Sequence, residues 1–274
     1  TTLDGVIVVT HNPRLEPDQT RNQDGNWLEE TGPAIRSLTL QELKTYDIGR
    51  LKPGSRSTQR FPDQVAVDGT RIPTLEEVFK LIRCSGNELV RLNIETKLRP
   101  TEAELFLEPA KFTTALLEVI RDQGFMDRVT IQSFDWRTLQ ETQRQAPNVP
   151  TSYLTVQQRW FDNIGRNQAG SSPWTAGYDI DDYAGNVPQM VKAAGGRIWS
   201  THHREVSAEN LKQAHDLGLE VKVWTVNETD RMAALIEMGV DGIITDYPDR
   251  LRQVLEERGM PTPTPTPVEP SCNS

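Results

Sequence analysis

Glu95 and Lys97 stand two apart in the stretch LNIETK, and His11 closes the apolar run VIVVTH near the N-terminus. On a strand, residues two apart share a face, so the carboxylate and the ammonium would point together. A carboxylate so placed can bind a hard cation, and an ammonium beside it can hold a phosphate oxygen. His11 carries a ring that gives or takes a proton near neutral pH, which suits general acid/base work. Plainer readings stand beside these: a salt bridge for the pair, a hydrogen-bonded surface residue for the histidine. His202 and His203 end the run GRIWSTH, and as strand neighbours they would point to opposite faces. Asp179, Asp181 and Asp182 cluster in YDIDDY, without the glycine and closing glutamate of an EF-hand loop. Trp160, Phe161, Trp174 and Tyr178 fall in the same stretch, read as a long loop over 156–195. Loops of that length often form lids or binding surfaces, and core packing is the plainer reading of their aromatics.

The elements that must hold these residues alternate along the chain. Strand-like runs at 89–97, 128–134, 150–155, 196–202, 219–227 and 240–248 are separated by amphipathic helical stretches. Asp135 and Ser207 are placed as N-caps, and Gly124, Gly218 and Gly239 as helix stops. Apolar strands between such helices read as a parallel sheet covered by helices. A doubly wound open sheet would accept six strands as they stand. No G-x-G-x-x-G follows the first strand, however, and polar residues gather at strand C-terminal ends, which favours a TIM-type (β/α)8 barrel. Asp4-Gly5 reads as a type I′ turn with Val6–Val9 as the second arm of a hairpin whose first arm is absent. The expectation is an α/β barrel incomplete at its N-terminus, with about six of eight strands plus an orphan hairpin strand. Residues 1–258 would form this domain, and 259–274, GMPTPTPTPVEPSCNS, an extended polyproline-type tail or linker.

Composition narrows the partners. A formal net charge of -9 argues against a nucleic-acid footprint, though a small anion could still find a local basic site. No apolar run is long enough to span a bilayer. Cys84 and Cys272 sit in unlike contexts, the first after a helical stretch and the second in the terminal tail, which argues against a disulfide between them. The Thr-Pro tail leans toward an extracytoplasmic protein. An incomplete barrel would leave sheet edges open to association, so poor solubility is expected.

Taken in order, HNP, LTLQELKTYDIG, RIPTLEEVF, NIETK, IQSFDW, VKVWTVN and GVDGIITDYP resemble the glycerophosphodiester phosphodiesterase family over residues 1 to about 255. The stretch YDIGRLKPGSRSTQRFPDQVAVDGTRIPTL is similar to its secreted bacterial branch. The resemblance implies a (β/α)8 barrel that hydrolyses glycerophosphodiesters to an alcohol and sn-glycerol 3-phosphate with Ca²⁺ or Mg²⁺. It implies that His11 is the second of two catalytic histidines, in a motif usually HDP and here HNP, that Glu95 is a metal ligand and Lys97 its companion, and that Trp224 lies close to the substrate. The family's HRG, PEN and E-x-D motifs have no counterpart in this sequence, so the chain as it stands is expected to be impaired. Two rivals remain open: a non-catalytic binding relative, and a phospholipase-type phosphodiesterase.

Overall fold

A computed structural model describes residues 1–268. Two compact units make up the chain: Thr1–Glu88 with Glu102–Phe125, and Leu89–Thr101 with Met126–Pro267.

The first unit carries helices α1 (Leu40–Leu43), α2 (Arg56–Arg60), α3 (Leu75–Cys84) and α4 (Pro109–Asp122). α1 and α3 open on capping boxes, Thr39 with Glu42 and Thr74 with Glu77, each satisfying backbone donors that a helix start leaves unpaired. α4 begins with Pro109 behind the carboxylate cap of Glu108 and buries Thr113, Leu116, Leu117 and Ile120, the spacing of one helix face. Gly124 follows it at φ +75°, as its stop position requires. Leu15, Ile35, Leu43 and Ile72 form a core against which Val8, Leu28 and Tyr46 pack. The N-terminus corrects one expectation. Thr2 N–H donates to Val6 O at 3.0 Å and Gly5 N–H to Thr2 O at 3.2 Å, so the chain does reverse here, but through a turn centred on Leu3 and Asp4 with Gly5 at φ +86°; Asp4 lacks the positive φ that a type I′ turn at Asp4-Gly5 requires. Val6–Val9 forms no regular strand: Val8 makes an isolated antiparallel bridge to Thr74 and Val9 N–H donates to Pro73 O at 2.8 Å. Cys84 is disulfide-bonded, although its sequence context gave no reason for it; Cys272 lies outside the described residues.

The second unit holds β1 (Leu92–Glu95), β2 (Val129–Ser133), β3 (Thr151–Thr155), β4 (Gln157–Gln158), β5 (Phe161–Asp162), β6 (Ile198–His202), β7 (Glu220–Trp224) and β8 (Gly242–Ile243). Six of these form an all-parallel sheet in the order β1-β2-β3-β6-β7-β8, and β4 and β5 make a small antiparallel hairpin. Helices α5 (Trp136–Gln145), α6 (Val187–Ala193), α7 (Ala208–Asp216), α8 (Thr229–Met238) and α9 (Pro248–Glu257) alternate with the strands, as parallel connections demand. The long loop expected over 156–195 is therefore structured: it contains the hairpin and α6, the connection between β3 and β6. α6 escaped the sequence reading because it is seven residues long, with Asn186 as cap and Pro188 in its first turn. β8 is shorter than the apolar run around it.

Register sorts the sheet into two unlike faces. Asn93, Glu95, Gln132, Ser152, Leu154, Ser200, His202, Lys222 and Trp224 share one face. Ile94, Ile131, Tyr153, Trp199, Val221 and Val223 share the other. On that second face Trp136 of α5 meets Tyr153 edge-on at 4.8 Å. α5 is tied down by buried polar contacts: Asp135 caps it by accepting from Arg137 N–H, and the Thr96 and Thr138 hydroxyls meet at 2.7 Å. Ser133 Oγ donates to Thr96 O at 3.0 Å and accepts from Asp135 N–H at 3.0 Å. Helix packing thus consumes the apolar face and leaves the polar one for chemistry.

Candidate active site

Strand alternation sends the side chain of Thr96 toward α5, so Glu95 and Lys97 on either side of it project from the opposite, polar face. Lys97 Nζ lies 2.8 Å from Glu95 Oε1, with both side chains partly sheltered from water. Beneath them Asn93 Nδ2 donates to Gln132 Oε1 at 2.7 Å, fixing the polar floor between β1 and β2. The pair is at once the salt bridge of the plain reading and a charged couple at a strand end, where a barrel-type fold places its chemistry.

Trp224 ends β7 on the same face. Its indole N–H donates to Ser200 O at 3.1 Å, which locks the ring plane. Edge-to-face contacts bring it to Phe134 at 5.2 Å and to His202 at 5.2 Å. Trp160, in the turn between β4 and β5, completes the group 5.8 Å from His202 and 6.5 Å from Trp224, and its side chain is 64% exposed. Phe161 then packs against Phe134 and Trp174. Of the loop aromatics, Trp160 faces solvent on this cluster, whereas Trp174 and Tyr178 line the packing around α5, Tyr178 tilted against Trp136.

The two histidines separate as strand geometry demands in role if not in distance, their rings 4.8 Å apart. His202 pairs in register with Trp224 and its buried Nδ1 has no hydrogen-bond partner among the described residues. Burial, with help from Arg204, lowers its pKa. His203 donates its backbone N–H to Trp224 O at 2.9 Å and its carbonyl accepts from the Arg231 guanidinium. Burial first, then the charges of His202, Arg231 and Arg204, push its pKa down to about 4, so this ring is neutral at physiological pH. The sequence alone gives His202 no role beyond its place at the end of a strand. The signal that could have retrieved it is parity: it sits in line with Trp224 at the end of the neighbouring strand.

His11 belongs to the first unit, where it is exposed and its Nδ1 lies 2.8 Å from Asn12 Oδ1. Glu95, Lys97 and Trp224 all belong to the second. YDIDDY serves structure, since Asp179 caps the short 3-10 turn Ile180–Tyr183. Hard cations want six or more oxygens. Among the described residues no group of three or more His, Cys, Asp or Glu side chains converges, and Glu95 is already paired with Lys97. The donor set on this sheet does not fit a Ca²⁺ or Mg²⁺ cage.

Comparison with known proteins finds relatives over most of the chain. A glycerophosphodiester phosphodiesterase of Caldanaerobacter subterraneus is 28% identical over 265 residues, covering 94% of this chain and 84% of its own. A solved structure from Silicibacter pomeroyi, of a candidate glycerophosphoryl diester phosphodiesterase, is 34% identical with a TM-score of 0.81, covering 95% of this chain and 82% of that one. An Oleispira antarctica phosphodiesterase, solved with its product sn-glycerol 3-phosphate, shares the fold at 18% identity and a TM-score of 0.64, over 93% of this chain and 81% of that one. Residues 1–250 match the profile of one family, and by that match this chain belongs to the glycerophosphoryl diester phosphodiesterases.

Proposed function

We propose that the chain acts on glycerophosphodiesters, releasing an alcohol and sn-glycerol 3-phosphate. The observation that carries this reading is the Glu95–Lys97 couple on the polar face of the sheet, in a chain of this family. Lys97 offers a fixed positive charge to a phosphate oxygen, and Glu95 holds that ammonium in place. The Trp224 and Trp160 rings offer an apolar wall to the carbon skeleton of the substrate. His11 is proposed as a proton-transfer residue on the strength of its HNP motif. A glycerol 3-phosphate complex in an Oleispira relative supports the substrate class.

Divalent-cation dependence would give Glu95 a second task, but that carboxylate is already ion-paired with Lys97. We accordingly propose that the chain of 274 residues turns over slowly. An extracytoplasmic location is proposed from the disulfide at Cys84, since such bonds persist in oxidising compartments, together with the Thr-Pro tail.

The test is glycerol 3-phosphate release from glycerophosphocholine, with and without added Ca²⁺ or Mg²⁺, for the chain and for Glu95→Gln. Measurable turnover that Glu95→Gln reduces supports the reading. Turnover unaffected by Glu95→Gln overturns the site. One observation favours a second reading: among the described residues no cluster of acidic ligands converges, which suits a non-catalytic binding relative that would bind glycerol 3-phosphate tightly with no turnover at all.

A further inference from the structure

A cavity of about 570 Å³ opens on the helix-covered face of the sheet, between the ends of β3 and β6 and the first turns of α6 and α7. Thr155 and Thr201 line it, and register puts both on the face opposite Glu95, His202 and Trp224. The cavity is therefore separate from the candidate active site. Most polar groups in its wall are already committed. Thr155 Oγ1 accepts from Trp199 Nε1 at 2.8 Å, Asn186 Nδ2 donates to Gln213 Oε1 at 2.9 Å, and Asn210 Nδ2 donates to Glu205 O at 2.8 Å.

Two groups are not. Thr201 is fully buried and its Oγ1 has no hydrogen-bond partner among the described residues. Gln157 Nε2 is likewise buried and unpartnered. A hydroxyl or amide sealed from water without a partner costs free energy, so native structures rarely keep one without a use. Charge in the wall is mixed: the Glu205 carboxylate, which accepts from Gln157 N–H at 2.8 Å and Gln158 Nε2 at 2.7 Å, is balanced by the Arg166 guanidinium, which donates to Gly185 O at 2.7 Å. Glu209 adds negative charge at the exposed rim.

A wall with an amide donor, an ambivalent hydroxyl, a carboxylate and a guanidinium selects against a strongly charged guest. It matches groups that donate and accept at the same atom, as alcohols do. We propose that this cavity is a binding site for a small neutral polyol, whose hydroxyls pair with Thr201 Oγ1 and Gln157 Nε2 and with the Glu205 carboxylate. Gln157 lies in β4, the strand leading to Trp160, so an occupant would also brace the hairpin that holds this indole.

Titration calorimetry with myo-inositol and with glycerol as probes tests the assignment, with inorganic phosphate as the anionic comparison. The wild-type chain is expected to bind at least one polyol with Kd of about 1 mM or tighter. Thr201→Val and Gln157→Met should each weaken that binding about tenfold or more, since each deletes one hydrogen bond in a buried site. Both variants stay checkable for folding, because Thr201→Val is nearly isosteric and removes an unpaired buried hydroxyl, so its melting temperature should hold or rise. No polyol binding, binding that neither variant changes, or a preference for phosphate would each overturn the proposal.

Discussion

Lys97 is held by Glu95 at 2.8 Å, and that single contact decides how the ammonium can meet a phosphate. Replacing Lys97 with Met keeps the aliphatic stem and deletes the charge. If the residue stabilises charge on phosphorus-bound oxygens, Lys97→Met should lower kcat about 100-fold in steady-state assays of glycerol 3-phosphate release, while a loss confined to KM would mark it as a ground-state binder only. His203 lends itself to a test by pH. Its folded pKa of about 4 lies below the ordinary 6.5, so the unfolded chain takes up a proton that the folded chain refuses. Its contribution to stability is intact above pH 6.5 and is lost progressively as pH falls from there to about 4. Urea unfolding at a series of pH values should show His203→Gln with a flatter acid limb than wild type; parallel limbs would mean the ring is not protected from protonation.

Asp135 links three elements, since it caps α5 and sits in the chain of contacts from Ser133 to Thr96. Its carboxylate is fully buried and forked onto Arg137 at 2.6 and 2.9 Å. Asp135→Ala removes the cap, and a loss of about 2 kcal/mol in denaturant unfolding is expected, with Asp135→Asn recovering part of it. Elements of this kind were legible in the sequence because their signals are local: Asp135 and Ser207 announce helix starts, and Gly124, Gly218 and Gly239 their ends. All five serve as read. What sequence could not show is set by pairing over distance. Nothing near Val8 says that its partner is Thr74, sixty-odd residues on, and nothing near Trp160 says that its ring will lie against His202 and Trp224. α6 was hidden for the opposite reason, being too short to show a period.

At the scale of the whole chain, the candidate site was legible as far as strand parity reaches. Glu95 with Lys97 and the position of Trp224 follow from alternation, whereas the unpaired Nδ1 of His202 and the shared cavity of Thr201 and Gln157 depend on neighbours from other strands. The converging acidic ligands that a divalent cation needs are not found among the described residues. Calorimetric titration of the chain with Ca²⁺ should accordingly detect no site tighter than about 1 mM; a micromolar site would show that the donor set is richer than Glu95 alone. The exposed Trp160 has one further use. Of the six tryptophans, it alone is exposed, the others being buried or half-buried. Iodide or acrylamide in solution will therefore collide with that indole before any other. The quenchable fraction of the chain's emission is a built-in optical gauge of whatever settles on the aromatic cluster, readable without a label and without turnover.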